Sequence, residues 1–267
     1  MEEREKIIMS AVLTFVVLIV GFLLLYFLIL KKPEPSDAAE KISSEDVAKA
    51  EVETGEKEGK LEPVEPVDVE LDESDTFIRG MAEELSNKPT FKEWLETKNV
   101  IRRFVAAVDN IANGLSPRQQ IDFFKPRGKF KAVTRKGTLY PDTSSYKRYD
   151  VVADVFVSLD ANAAVQYFRR FKPLIQEAYK ELGYPNTDFQ VTLAAAIEEL
   201  LSVPVLDDPL ALEREVLSYK IADQDLENLS EAQKHLLRMG PENVRKIQTK
   251  LREMAYELRM LRKKEIP

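Results

Sequence analysis

The feature that most constrains this chain is an uncharged apolar stretch of 24 residues near its N-terminus, Ile7 to Leu30. A helix of that length rises about 36 Å, and the hydrocarbon core of a bilayer is about 30 Å thick. A cleaved signal peptide has a shorter apolar region and a small-residue cleavage site. Here Lys31-Lys32-Pro33 follows directly. The stretch therefore predicts an uncleaved, single-pass transmembrane anchor behind a tail of residues 1–6.

The basic residues that flank the anchor decide on which side of the membrane the rest of the chain lies. Arg4 and Lys6 precede the apolar stretch, and Lys31 and Lys32 follow it, so the positive-inside rule is close to balanced. We expect the N-terminus to lie inside and the following domain outside. Since the stretch contains no charge, we interpret it as a tether in the lipid bilayer rather than as a path for ions or protons.

The segment behind the anchor, residues 31–72, has the composition of a disordered linker. Between Glu34 and Asp75 there are sixteen Asp or Glu and four Lys, a net charge of −12, which leaves +4 for the rest of the chain beyond it. Few large apolar residues are present to offset the entropy lost on ordering. We predict an acidic, proline-containing spacer; the alternative is that its acidity shields a basic domain from competing partners.

Residues 73–267 are predicted to form a mainly α-helical domain of five to seven helices. A capping box at Thr90–Glu93 opens a long amphipathic helix that ends near Asn113. A second long helix, Ala161–Leu182, contains Pro173 and is expected to kink there. Shorter helices are predicted near residues 72–85, 149–159 and 187–201.

One small β-hairpin is predicted near residues 129–141. Phe130–Val133 and Thr138–Tyr140 have strand composition and flank Thr134–Gly137, which places glycine in the turn. Val216–Ile221 is a further candidate for an extended segment. The fold class is therefore mainly α with a single hairpin.

The C-terminal part of the sequence has the clearest helical signals. Ser230–Gln233 is a capping box, Gly240 can end that helix, and Pro241 suits the first position of the next one. The last helix has an apolar seam of alternating three- and four-residue spacing, too short to indicate a coiled coil by itself. The seam residues are Val244, Ile247, Leu251, Met254, Leu258 and Leu261.

Basic and aromatic side chains supply the candidate binding surface. Tyrosines near the hairpin lie among cations, a mixture that nucleic-acid-binding proteins also use, and a cationic cluster adjoins Pro173. Residues 241–267 carry a net charge of +4. The alternative is that the rings pack against helices and the cations solvate outer faces. The candidates are Arg103, Tyr146, Tyr149, Arg169, Arg170, Lys172, Arg245, Arg252 and Arg259.

The composition excludes several classes of chemistry. The chain has no cysteine, which removes disulfides, thiolate zinc sites and cysteine nucleophiles. It has one histidine, His235, without a GxSxG motif, and its nine glycines form no phosphate-binding loop. We predict no catalytic residue, no metal site and no cofactor. A glycan hydrolase that used carboxylates such as Asp150, Glu177 and Glu181 is the enzymatic alternative.

Four stretches resemble one known family. IRRFVAAVDN, KRYD, YFRRFKPLIQEAYKELGYP and LLRMGPENVRKIQTKLRE are similar to bacterial membrane-anchored proteins of the domain of unknown function 3014 family, and the resemblance covers residues 71–258. It implies a bacterial envelope protein with one N-terminal anchor. It implies no activity and no site residues.

We therefore expect a single-pass protein of the bacterial inner membrane with a periplasmic helical domain. Its expected function is non-enzymatic binding or scaffolding of an envelope protein or another anionic partner through basic helix surfaces. A nucleic-acid-binding domain is the alternative if the domain lies in the cytoplasm.

Overall fold

The computed structural model describes residues 65–126, 128–216 and 218–258. The predicted anchor at 7–30 and most of the predicted linker lie outside these residues. None of the helices described is both long and apolar enough to cross a membrane. Leu71 is buried, and Val67 and Val69 pack against the same core. The folded part therefore begins several residues before the predicted boundary at residue 73, because these three apolar side chains join the core.

The described chain is mainly helical, as the periodicity predicted. A 3-10 turn at Leu71–Glu73 comes before the first helix, and another lies at Asp122–Phe124. The helices are α1 Ser74–Gly80, α2 Ala82–Leu85, α3 Pro89–Leu95, α4 Val100–Ala112, α5 Thr143–Lys147, α6 Asp150–Val157, α7 Ala161–Arg170, α8 Lys172–Glu181, α9 Phe189–Leu201, α10 Gln224–Glu227, α11 Glu231–Leu237 and α12 Pro241–Glu257. The strands are β1 Ala132–Arg135, β2 Thr138–Pro141, β3 Leu212–Arg214 and β4 Tyr219–Ile221.

Two hydrophobic cores share α9. The first core gathers apolar residues of α1, α4, α8 and the start of α9, with Val105 and Phe189 almost fully buried. The second lies between α6, α11, α12 and the sheet, with Val244 and Ala255 at zero exposure. Neighbouring residues of α9 belong to different cores, Ala196 to the first and Ile197 to the second. This helix therefore joins the two halves of the domain.

The predicted long helix from Thr90 to Asn113 is wrong, because the chain forms two helices there. Helix α3 begins at Pro89, and the predicted capping box makes no cap hydrogen bond. Asn99 has a left-handed backbone, φ 58°. The carboxylate of Asp75 accepts hydrogen bonds from the N–H groups of Asn99 at 2.8 Å and Val100 at 2.9 Å. A carboxylate from a neighbouring helix thus caps α4, which local sequence signals do not indicate.

The second predicted long helix is two helices in the structure, and they meet close to Pro173. Helices α7 and α8 meet at Phe171, and Pro173 lies in the first turn of α8, where its missing N–H costs nothing. Asp160 caps α7 by accepting from the N–H of Ala163 at 2.7 Å. The cap at Asp160 is confirmed, whereas the prediction of one helix with a kink at Pro173 is wrong, because the chain forms two helices here.

The predicted hairpin is present but belongs to a larger sheet. Lys136 and Gly137 turn between β1 and β2 with φ values of 49° and 83°, the pattern of a type I′ turn. The sheet is antiparallel with the order β1-β2-β3-β4, and Leu139 of β2 pairs with Leu212 of β3. The prediction of a single hairpin was wrong. Strands of three residues are too short for apolar and polar residues to alternate recognisably, so the sequence has no clear signal for β3 and β4. In the structure, burial against the second core stabilises these strands.

Candidate functional site: a basic face beside the sheet

The segment from residue 125 to residue 148 is the most basic part of the folded chain. It contains eight Lys or Arg and one carboxylate, Asp142, a net charge of +7. Lys125, Lys129, Lys131 and Lys147 are exposed, as are the two cations at the end of β1. In the part of the chain that the structure describes, no carboxylate forms an ion pair with these side chains. Their charge is therefore available to an external partner.

Buried hydrogen bonds hold this segment in place. Ser145 is 1% exposed. Its hydroxyl accepts from the N–H of Lys131 and donates to the carbonyl of the same residue, both at 2.8 Å. The guanidinium of Arg148 donates to the carbonyl of Gly128 at 3.2 Å. These hydrogen bonds fix the chain that leads into β1 against α5.

Aromatic rings and guanidinium groups alternate on this surface. Arg148 lies 5.8 Å from the ring centroid of Phe130 and 5.5 Å from that of Tyr149. The rings of Phe130 and Tyr219 are 5.4 Å apart, and Arg214 lies 5.8 Å from Tyr219. These distances are in the range of cation–π contacts. The basic face is defined here as these five residues with the two lysines that flank Phe130: Lys129, Phe130, Lys131, Arg148, Tyr149, Arg214 and Tyr219.

Exposed apolar side chains border the basic face. Phe130 is 40% exposed, and Val216 in the turn between β3 and β4 is 97% exposed. That turn is closed by a hydrogen bond from the N–H of Glu215 to the carbonyl of Ser218 at 3.0 Å, and the Glu215 carboxylate accepts from the Ser218 hydroxyl. Val216 therefore projects from the same hairpin that carries Arg214 and Tyr219.

The one carboxylate of the basic segment stays ionised. Hydrogen bonds from the hydroxyl and the N–H of Ser144 lower the pKa of Asp142, and the nearby charges of Lys131 and Arg135 lower that pKa further. Asp142 is the cap residue of α5. Its negative charge is thus tied to the start of this helix and offsets only one of the eight positive charges of the segment.

Two residues beside the basic face in sequence, Tyr146 and Asp150, are half-buried and contact the buried residues Gly240 and Asn243. These four residues are defined here as the buried joint. Gly240 has φ 89° and ψ 159°, and a Cβ there would lie 2.6 Å from Cγ of Tyr146. The side-chain amide of Asn243 donates to Asp150 at 3.1 Å and to the carbonyl of Met239 at 3.0 Å. Burial raises the pKa of the Tyr146 hydroxyl. This predicted binding residue is therefore part of the packing between α5 and α12.

The other predicted binding residues lie on separate parts of the domain. Arg103 on α4 donates to Asp122 at 2.8 Å and to the carbonyl of Gln120 at 3.0 Å. At the junction of α7 and α8, Arg169 donates to the carbonyl of Glu257. The guanidinium of Arg170 lies 5.9 Å from the ring of Tyr167, and Lys172 pairs with Asp188 at 3.1 Å.

The basic residues of the last helix differ in exposure, and Lys250 is buried. Arg245 is exposed and lines an open groove of about 380 Å³ with Val157 and Thr249. Arg252 is half-buried. Arg259 lies outside the described residues. Of the predicted candidates, only Tyr149 belongs to the basic face.

Sequence reasoning missed most of the basic face. The charge of +7 over residues 125–148 was a readable signal for the lysines. The contact between Phe130 and Tyr219 had no signal, because it depends on the pairing of strands that are far apart in the sequence.

The three carboxylates considered for glycan hydrolysis make different contacts, Glu177 and Glu181 on α8 and Asp150 on α6. Glu181 accepts two hydrogen bonds from Arg102, which lower its pKa. Asp150 belongs to the buried joint, and Glu177 is exposed. His235 shares a 2.9 Å hydrogen bond between Nδ1 and the hydroxyl of Ser116, and burial lowers its pKa to about 4. Among the described residues, no three His, Asp or Glu side chains are grouped to hold a metal ion.

A small cleft lies between the sheet and the loop before β3. It has a volume of about 180 Å³ and is lined by Tyr140, Tyr146, Leu206 and Pro209, with Arg135 beside them. Ligand sites in proteins usually have volumes of about 300 to 1,000 Å³. The cleft is thus small for an organic substrate, and the basic face is the stronger candidate for function.

Residues 100–255 match the family described as Protein of unknown function (DUF3014), and the chain belongs to this family. The resemblance of the four sequence stretches is thereby confirmed. Comparisons with curated proteins and with solved structures give no significant match.

Proposed function

We propose that this protein is a membrane-tethered, non-enzymatic binding domain of the bacterial cell envelope, and that its basic face holds an anionic partner. The observation that carries the proposal is the group of cations between residues 125 and 148 that have no carboxylate partner in the described chain. Elsewhere in the domain, cations such as Arg102 and Arg103 are paired. Unpaired surface charge of one sign steers oppositely charged partners and favours their association.

The tether and its location are part of the same proposal. The apolar stretch 7–30 holds the chain in the inner membrane, and the acidic segment behind it acts as a spacer. The domain lies on the periplasmic side, where the partner is an envelope component with anionic groups, such as an acidic protein surface. A reporter fused behind Pro267 tests this location: activity of a periplasm-dependent reporter supports it, and activity of a cytoplasm-dependent reporter contradicts it.

Nucleic acid is the second candidate partner, and the rings among the cations favour it. Proteins that bind single-stranded nucleic acid combine stacking rings with a basic groove. The candidate requires a cytoplasmic domain, so the same reporter decides between the two. Salt-sensitive binding of single-stranded RNA by a domain shown to be cytoplasmic would replace the envelope proposal.

Glycan hydrolysis has less support. A general acid needs a raised pKa, whereas hydrogen bonds from Arg102 lower the pKa of Glu181. Turnover of a library of wall glycans by the purified chain would overturn the non-enzymatic proposal.

The binding proposal can be tested with a soluble acidic probe. The full chain is placed in nanodiscs of uncharged lipid, and the anisotropy of fluorescent polyglutamate is measured. Lys129→Glu with Lys131→Glu should weaken binding about tenfold or more, because each basic side chain near an anionic surface contributes on the order of 1 kcal/mol.

A matched control changes the same amount of charge elsewhere. Lys98 and Lys180 are exposed and form no ion pair in the described chain. Lys98→Glu with Lys180→Glu should leave the affinity for polyglutamate nearly unchanged. Equal losses in the two double variants would mean that net charge, and not the basic face, attracts the probe.

A further inference from the structure

We infer that the anionic partner of the basic face is the phospholipid headgroup surface of the bilayer that anchors the chain. The inference rests on the proposed function, since it names the partner of the same site. It concerns a docking surface for a membrane, distinct from the anchor at residues 7–30.

The first argument is charge. Lys129 and Lys131 are exposed, and Arg148 and Arg214 lie against rings without a carboxylate partner in the described residues. Lys and Arg side chains that are held near a membrane surface are attracted to its anionic headgroups. The phosphates of a lipid surface form a dense layer, which suits cations that are distributed over a face rather than gathered in a pocket.

The second argument is the apolar border of the face. Val216 is 97% exposed and Phe130 is 40% exposed. These side chains would gain nothing from a soluble polyanion, but they can enter the boundary between headgroups and acyl chains. Tyr149 and Tyr219 have the amphipathic rings that are enriched at this depth of a membrane. Exposed apolar side chains next to unpaired cations thus favour a lipid surface over an acidic protein.

The third argument is reach. Residues 31–64 lie between the predicted anchor and the first described residue. Their composition predicts a linker, and a flexible linker of this length has an end-to-end distance of roughly 30 Å. A domain on such a tether can turn the basic face towards its own bilayer.

The absence of cysteine gives a direct test, because an introduced cysteine is the only thiol in the chain. Val216→Cys is labelled with an environment-sensitive fluorophore, and the full chain is reconstituted in vesicles that contain nitroxide-labelled lipid. The vesicles consist either of phosphatidylcholine with phosphatidylglycerol or of phosphatidylcholine alone. Val191→Cys on α9, where the valine is 65% exposed, is the matched label position.

The inference predicts several-fold stronger quenching at position 216 in the anionic vesicles than in the uncharged ones, and little quenching at position 191 in either. Salt at about 0.5 M should abolish the difference, because it shortens the range of electrostatic attraction. Lys129→Glu with Lys131→Glu should abolish it too, whereas Lys98→Glu with Lys180→Glu should leave it intact.

Two outcomes overturn the inference. Quenching at position 216 that is absent, or equal in both kinds of vesicle, shows that the face does not dock on anionic lipid. If polyglutamate still binds the basic face in that case, an acidic protein is the partner and the proposed function stands. If the face binds neither vesicles nor polyglutamate, the proposed function fails together with the inference.

Discussion

The short stretch of residues 145–150 contributes to both the buried joint and the basic face. Within it, similar residue types have different roles. Tyr146 lies against Gly240, and Asp150 receives a hydrogen bond from Asn243. Arg148 and Tyr149, between them in sequence, lie on the outside with Phe130. One tyrosine is thus fixed by packing and the other is presented to the surroundings. Residue type alone does not separate structural from binding roles in this stretch.

Substitutions in the two regions should therefore affect different properties of the protein. Changes in the buried joint should lower stability and leave the intrinsic affinity of the folded domain unchanged. Changes in the basic face should do the reverse. The following predictions test this division in order of decreasing effect on stability.

Gly240→Ala is expected to have the largest effect. The backbone conformation of Gly240 is one that other residues rarely adopt, and the added Cβ would meet the Tyr146 ring at 2.6 Å. We expect a loss of about 3 kcal/mol or more in the free energy of unfolding. Thermal unfolding followed by circular dichroism measures it. Gly80→Ala is the control, since nothing lies within 4 Å of its Cβ position. A small loss at Gly240 would show that the joint can relax.

Asn243→Ala is expected to cost about 2 kcal/mol, because it removes a side chain that is 2% exposed and leaves Asp150 and the carbonyl of Met239 without their donor. The denaturant midpoint of unfolding measures this loss. Asn162→Ala on the exposed side of α7 should change stability by less than about 0.5 kcal/mol. Equal effects of the two substitutions would contradict the role of the joint.

Mild acid should destabilise the buried part of the domain without affecting the charge of the basic face. Burial lowers the pKa of His235 from 6.5 to about 4. Between these pH values His235 is therefore protonated in the unfolded chain and neutral in the folded chain. Stability from this group is complete above pH 6.5 and falls as the pH falls through this window. We expect a loss of about 2 kcal/mol between pH 7 and pH 5.

His235→Gln tests the origin of that pH dependence. The variant should show a flatter curve of unfolding free energy between pH 5 and pH 7 than the unsubstituted protein. Binding of polyglutamate by the folded chain should change little over this range, since Lys and Arg stay charged. An unchanged slope in the variant would assign the pH dependence to other groups.

Charge reversal on the basic face is expected to have the smallest effect on stability. Lys129 and Lys131 are exposed and unpaired in the described chain, so Lys129→Glu with Lys131→Glu should change the unfolding free energy by less than about 0.5 kcal/mol. The same thermal unfolding experiment measures this. A loss comparable to that of Asn243→Ala would mean that the face has a structural role and would remove the contrast between the two regions.

The sequence predicted those features that depend on neighbouring residues. The capping box at Ser230 and Gln233, the cap at Asp160 and the turn at Gly137 are present as expected. Their hydrogen bonds or backbone angles involve residues at most a few positions apart. Such local signals placed α6, α9, α11, α12 and the first hairpin correctly, whereas the described residues form twelve helices and not the five to seven expected.

The missed features depend on contacts between distant parts of the chain. Asp75 caps a helix that begins at Val100, and Leu139 pairs with Leu212. The basic face needs both the hairpin and the later strand that carries Tyr219. The sequence around each of these residues does not indicate which distant residue it contacts. The predicted surface therefore included Tyr146, which packs against Gly240, and omitted Phe130.

The central claim is that unpaired cations on the basic face attract an anionic partner. The salt dependence of binding is its most direct test. The affinity of the full chain for fluorescent polyglutamate is measured in uncharged nanodiscs between about 0.05 and 0.5 M salt, a range over which the screening length falls severalfold. Our account predicts that the affinity decreases steeply for the unsubstituted protein and only weakly for Lys129→Glu with Lys131→Glu. An affinity that does not change with salt, or the same slope in both proteins, would contradict it.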